Sequence, residues 1–276
     1  MNDSEDGRLR FLRRADDRRQ KRGLRRGAAL LPSLFTMGNM FCGYACVVYS
    51  VNRDFERAAL FIGVGIVLDM LDGRVARLTQ TESAFGGELD SLADVITFGL
   101  APAILAFSWG LGSLGRLGWA CGFLYVAAAA LRLARFNLQG MVGGDKRYFA
   151  GMPSPSAAGI TASTVFAFPA GLTDPRAALP ALAMVLVPAA LMVSRIRFQS
   201  FKTVDLRARR SYTALILVAA GIVLIATHPQ AALLVCAYTY LAMPFVGMLY
   251  SRLRHGPKVE PVSDRGESKN PQQRPA

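Results

Sequence analysis

Acidic residues are scarce in this chain: 19 Asp and Glu stand against 32 Lys and Arg in 276 residues, for a formal net charge of +13 and a pI near 10.2. Cysteine is scarce too. Cys42, Cys46, Cys121 and Cys236 fall in apolar runs and lack paired metal-type spacing, so they read as small reduced core residues. The first 30 residues are charged and carry no apolar core, which argues against a cleavable signal peptide. Neither a second soluble domain nor a convincing internal repeat can be traced. A basic chain invites a nucleic-acid reading, but the placement of its charges fits a membrane better, with anionic lipid headgroups as partners and no nucleic acid.

Long apolar runs are what the chain has in abundance. It is 52% hydrophobic with a mean hydropathy of +0.30. Runs near or above the length of a membrane crossing recur. They predict an all-α, polytopic integral membrane bundle of about eight helices, at about 33–52, 58–79, 88–108, 117–136, 156–172, 178–195, 212–227 and 231–251. If the N-terminus is cytoplasmic, the outer loops hold only Arg53, Arg57, Arg116 and Arg176, and the rest of the 32 Lys and Arg fall inside. That asymmetry follows the positive-inside rule and places both termini in the cytoplasm. The expected organisation is a basic N-terminal segment at 1–30, a membrane domain at 31–255 and a disordered tail at 256–276. The first segment reads either as a surface anchor or as a solvated topogenic tail.

Four of the few acidic residues sit in or beside two of these apolar stretches. Asp69 and Asp72 are i,i+3 neighbours, and Asp90 and Asp94 are i,i+4 neighbours, so each pair lies on one helix face. With residues 78–87 as the turn, the two faces meet in an antiparallel hairpin. An Asp at a bilayer centre costs about 2.5–3.5 kcal/mol on the insertion scale, with mutual repulsion added. Divalent cations relieve both costs, and an all-carboxylate site suits Mg²⁺ or Mn²⁺. The orientation puts both pairs at the cytoplasmic end of their helices. Pairing of interfacial aspartates with Arg74 and Arg77 is the competing reading.

The run Asp69-x-x-Asp72-Gly73-x-x-Ala76-Arg77, followed after eight residues by Gly86-x-x-x-Asp90-x-x-x-Asp94, resembles the complete signature of the CDP-alcohol phosphatidyltransferases. Eight fixed residues over 26 positions make the resemblance specific. It implies a six-helix catalytic core, CDP-diacylglycerol as donor, CMP as leaving group, and Asp94 as general base. Asp69, Asp72 and Asp90 would hold two divalent ions, with Asp94 contributing to one. Gly73 and Ala76 lack bulk where a nucleotide would approach, Arg77 is placed to neutralise a phosphate, and Gly86 leaves a similar gap on the facing helix. In the first span Pro32-Ser33-x-x-Thr36-x-x-Asn39-x-x-x-Gly43 forms a polar, small-residue stripe suited to helix packing. It also resembles the family's first-helix pattern, which would bring Thr36 and Asn39 to the CDP moiety.

Two further segments are similar to the serine-using branch of that family, the phosphatidylserine synthases. One joins Arg132-Leu133-Ala134-Arg135-Phe136-Asn137 to Gly151-x-Pro153-x-Pro155-x-x-Ala158; the other is Ser194-Arg195-Ile196-Arg197-Phe198 with Lys202. Arg135, Asn137, Arg195, Arg197 and Lys202 are the candidates for serine or phosphate contact, the basic ones also readable as a positive-inside flank. The expected activity is therefore transfer of a phosphatidyl group to the serine hydroxyl. Glycerol 3-phosphate, inositol phosphate or choline would use the same core motif. An ion transporter would share the intramembrane carboxylates, but no second acidic cluster lies in the other half of the chain. The resemblance also implies a homodimer, and the compact form a bacterial inner membrane.

Overall fold

Inside a bilayer each backbone N–H and C=O must be bonded within its own segment, so apolar runs of this length fold as helices. The computed structural model of the chain describes residues 33–79, 83–141, 149–194, 197–198 and 227–254. Seven long helices occur among them: α1 (Ser33–Val51), α2 (Phe55–Thr79), α3 (Ala84–Trp109), α4 (Arg116–Met141), α5 (Ser154–Ala167), α6 (Pro175–Val193) and α7 (Pro229–Arg254). The described residues are otherwise turns, apart from a short 3-10 helix at Leu111–Leu114 and a two-residue antiparallel pairing of β1 (Phe149–Ala150) with β2 (Arg197–Phe198).

The chain is a helical membrane protein: α1, α3, α4 and α6 are each long and apolar enough to cross a membrane. The second helix is long enough too, but Asp69, Asp72, Arg74 and Arg77 charge its second half. Two expectations need correction. The fifth span, expected at about 156–172, is a helix of 14 residues that stops at Ala167. At 1.5 Å per residue it covers about 21 Å, short of the roughly 30 Å hydrocarbon core. Cys236, expected in the core, is exposed on α7, whereas Cys42, Cys46 and Cys121 are buried. The span expected at 212–227 lies, but for its last residue, outside the described residues, as do the segments 1–30 and 256–276.

Pro102 has no N–H to give, and α3 adjusts just before it. Residues Val95–Leu100 form a π-turn, and the N–H of Ala101 reaches back five residues to the carbonyl of Ile96. Gly99 faces α4 there: a Cβ at that position would stand 3.2 Å from the Ala129 Cβ. Around this turn α4 packs on α6, α2 on α5, and α5 on α7. Alanines at 58, 59, 101, 106, 129, 157 and 158 are buried in these contacts, where small side chains let helix backbones approach closely. Tyr125, Phe98, Ile62, Leu105 and Met192 fill the remaining core. Large apolar side chains such as Leu34, Met37, Phe41 and Tyr44 on α1 point outward, the arrangement a lipid solvent favours.

Candidate active site

Helices α2 and α3 form the expected hairpin, with a tighter turn than the sequence implied. Helix α2 continues to Thr79 and α3 begins at Ala84, where the Ser83 hydroxyl accepts the Gly86 N–H at 3.0 Å and caps the helix. Gly86 thus lies in the first turn of α3, below Asp90. Carboxylate oxygens of Asp69, Asp72 and Asp90 lie within 4.8 Å of one another. Like charges so close repel, and a divalent cation among them removes the repulsion. Asp90 Oδ1 is buried and has no hydrogen-bond partner, an orphaned acceptor of the kind a cation satisfies. The three carboxylates therefore fit a hard divalent ion. Asp94 follows on the same face of α3, its Oδ1 turned to Asn39. It lies one helical turn deeper, on its own contacts.

Helix α1 holds both ends of the cluster. The Thr36 hydroxyl donates to Asp72 Oδ2 at 3.2 Å, and Asn39 Nδ2 donates to Asp94 Oδ1 at 3.4 Å. Thr97, on the π-turn, donates to the Asn39 carbonyl at 2.9 Å. Such close approach needs glycine on two neighbours. A Cβ at Gly43 would stand 2.7 Å from Thr97 Oγ1, and one at Gly65 would stand 2.7 Å from Thr97 Cγ2 and 3.1 Å from Asn39 Oδ1. Asn39 Oδ1 is itself buried without a partner. Thr36 and Asn39, expected at the nucleotide, are thus bonded to the aspartates. Gly73 remains open: a Cβ there would meet only the Arg77 guanidinium, at 3.9 Å. The exposed Arg77 folds back, its Nε donating to the Gly73 carbonyl at 2.7 Å, and Ala76 is half-buried beside it.

On the far side stands an arginine that sequence reasoning passed over. Arg132 Nη1 donates to Ser154 Oγ at 2.6 Å, and its charge lies within electrostatic reach of Asp94 and Asp69. Arg135, one turn on, instead donates to the Val193 carbonyl at the end of α6, 3.1 Å away. Asn137 donates to the Ser91 hydroxyl at 3.0 Å, bracing α4 against α3. A signal for Arg132 existed in the sequence. It lies on the same helical face as Tyr125, Ala128 and Ala129, all buried, whereas Arg135 is exposed.

Ser154 is set in place by the Gly-x-Pro-x-Pro segment. Gly151 adopts φ +91°, and a Cβ on it would collide with the Met192 carbonyl oxygen, so the chain crosses the end of α6 where only glycine fits. Met152 N–H then donates to the Leu191 carbonyl at 3.0 Å, and α5 starts at Ser154 with Pro155 in its first turn. The β1–β2 pairing joins this segment to the one after α6, setting Ala150 opposite Arg197. The two segments singled out for serine or phosphate contact are therefore neighbours. Arg195 and Lys202 lie outside the described residues.

A family model, CDP-alcohol phosphatidyltransferase, matches residues 29–196. A CDP-diacylglycerol–serine O-phosphatidyltransferase of Helicobacter pylori strain 26695 is 37% identical over 226 residues, covering 80% of this chain and 92% of that protein. One from Bacillus subtilis is 39% identical over 127 residues, 46% of this chain and 70% of its own. An archaetidylserine synthase of Methanothermobacter thermautotrophicus is 36% identical over 170 residues, 61% of this chain and 69% of its own. With the aspartate hairpin of α2 and α3 inside the matched residues, this chain belongs to the CDP-alcohol phosphatidyltransferases, a divalent-metal-dependent family.

Proposed function

We propose that the chain transfers the phosphatidyl group of CDP-diacylglycerol to the hydroxyl of L-serine and releases CMP. The observation that carries this reading is the carboxylate trio of Asp69, Asp72 and Asp90 with Asp94 beside it. Its support for serine comes from relatives whose names state that transfer, one of them matched over 92% of its length.

In this reading Asp69, Asp72 and Asp90 hold two divalent ions, Mg²⁺ or Mn²⁺, with Asp94 contributing to one. Bound there, the cations would polarise the diphosphate and stabilise the departing phosphate. Asp94, held by the Asn39 amide, takes the proton of the serine hydroxyl. The serine oxygen bonds to the lipid-side phosphorus as the bond from that phosphorus to the CMP oxygen breaks, and CMP leaves with the electron pair. No covalent enzyme intermediate is needed. The open face of Gly73, with Ala76, Arg77 and Gly86 around it, receives the nucleotide, and Thr36 and Asn39 keep two of the aspartates turned toward it. Arg135, Asn137, Arg195, Arg197 and Lys202 are the residues that would contact the serine and phosphate groups. The site opens to the cytoplasmic side of a bacterial inner membrane, anionic headgroups meet the basic inner surface, and the working unit is a homodimer.

The test is CMP release from CDP-diacylglycerol by purified protein in detergent, with Mn²⁺ or Mg²⁺, with and without L-serine, beside Asp94→Asn. Serine-dependent release that is lost in the variant at unchanged melting temperature is the expected result. Release with glycerol 3-phosphate but not with serine would overturn the acceptor, and undiminished release by Asp94→Asn would remove that residue as base.

A further inference from the structure

Thr97 lies just past the Asp69–Asp94 signature, fully buried on the π-turn of α3 where α1 and α2 both approach it. Two glycines make its seat. Its hydroxyl faces Gly43 of α1 and its methyl faces Gly65 of α2, each 2.7 Å from where a Cβ would stand. At Gly43 the approach reaches the main chain, since the same Cβ would be 2.9 Å from Thr97 Cα. The Thr97 hydroxyl donates to the Asn39 carbonyl at 2.9 Å, and Asp94, three residues earlier on α3, accepts the Asn39 amide at 3.4 Å. Two residues of α3 therefore hold one residue of α1, Thr97 by its main chain and Asp94 by its side chain.

A hydroxyl inside a helix can satisfy itself on the carbonyl four residues back in its own helix. Ser50, Ser91 and Thr164 do so, on Cys46, Gly87 and Ile160. Thr97 crosses to another helix instead, at a place where the π-turn and two glycines let it reach. π-turns within α-helices are frequent at functional sites. The Asn39 amide needs such an anchor. Its bond to Asp94 is longer than most N–H···O bonds, and its oxygen is buried without a partner, so its own contacts fix its direction weakly. We propose that Thr97 is a positioning residue for Asp94: its hydroxyl fixes the Asn39 main chain, so that the Asn39 amide keeps the Asp94 carboxylate turned to receive the acceptor's proton. The inference rests on the reading of Asp94 as base given under Proposed function. It gives the π-turn a part in the reaction beyond accommodating Pro102.

The experiment measures CMP release by the full chain in detergent at saturating Mn²⁺, with kcat and KM for CDP-diacylglycerol and for whichever acceptor supports release. It compares the unaltered protein with Thr97→Ser, Thr97→Ala, Thr97→Val, Asn39→Ala and the Thr97→Ala/Asn39→Ala pair. Thr97→Ser and Thr97→Ala both lack the methyl group and differ only in the hydroxyl, and Thr97→Val keeps the shape without it. The expected result is a kcat about tenfold lower in Thr97→Ala and Thr97→Val, the scale of one buried hydrogen bond. Both KM values stay unchanged in these variants, and Thr97→Ser keeps the kcat of the unaltered protein. In the pair the two losses do not add, because Thr97 acts through Asn39. An undiminished kcat in Thr97→Ala and Thr97→Val would overturn the inference. So would a Thr97→Ser as slow as Thr97→Ala, since the loss then follows the methyl and its packing, or losses that add in the pair. Asp94→Asn, run alongside, keeps the two readings apart. Full release by Asp94→Asn removes the base and the inference with it, whereas release lost there but kept in Thr97→Val and Thr97→Ala removes the inference alone.

Discussion

Thr36 shows how much a single buried hydroxyl is asked to do. It touches Asp72, one of the three converging carboxylates, and through it orients an oxygen toward the cation position. Partners of this kind set ligand direction, and their loss typically costs about 10–100-fold in metal affinity or activity. Thr36→Val should therefore lower CMP release by about that factor at limiting Mn²⁺ and recover part of it at high Mn²⁺, read from a metal titration. Chelation with EDTA should abolish release, and restoring Mn²⁺ or Mg²⁺ should return it. Gly65 makes the opposite case, where the useful feature is missing bulk. A methyl group there has to push Thr97, whose Cγ2 would be 2.7 Å away. Overpacking of this kind costs about 1–3 kcal/mol, so Gly65→Ala should lower the melting temperature and loosen the hold of α3 on Asn39.

Helix ends and turns, more than helix interiors, bring the site together. The hairpin turn between α2 and α3 depends on the Ser83 cap, which fixes the first turn of α3 below Asp90. Ser83→Ala should cost about 1 kcal/mol, visible as a small drop in melting temperature with activity retained. The crossing of Gly151 over the end of α6 is more demanding. A left-handed φ of +91° joins a steric conflict with the Met192 carbonyl, so Gly151→Ala has to move the segment that carries Ser154. The left-handed backbone alone costs a non-glycine residue about 1–2 kcal/mol. Release assays should show the serine dependence suffering more than the CDP-diacylglycerol dependence, because Ser154 supports Arg132 and not the aspartate trio.

For the molecule as a whole, the charge asymmetry makes a topological claim. In the orientation proposed above, with the aspartate hairpin opening inward, the ends of α3 and α5 face outward. Ser113 and Thr173 are exposed at those ends, and Leu138 is exposed near the inner end of α4. In a Cys236→Ser background, cysteines placed at Ser113 or Thr173 should react with a membrane-impermeant maleimide in intact cells. A cysteine at Leu138 should react only after permeabilisation. Reversed labelling would invert the orientation and turn the site away from the cytoplasm.

The sequence by itself determined the class of the molecule and the heart of its site. Apolar run length specifies membrane helices through backbone hydrogen bonding alone, and i,i+3 and i,i+4 spacing puts Asp69 with Asp72 and Asp90 with Asp94. These are local relations, written in neighbouring residues. Only the tertiary structure decided that three carboxylates converge while Asp94 keeps to Asn39. It also set Arg132 on Ser154 and Arg135 on the end of α6, and ended α5 at Ala167. Each of these depends on how helices rotate and slide against one another, which small buried residues such as Gly43, Gly65 and Gly99 set through the distance of approach. Helical periodicity states which residues share a face, and packing between distant segments selects what that face meets.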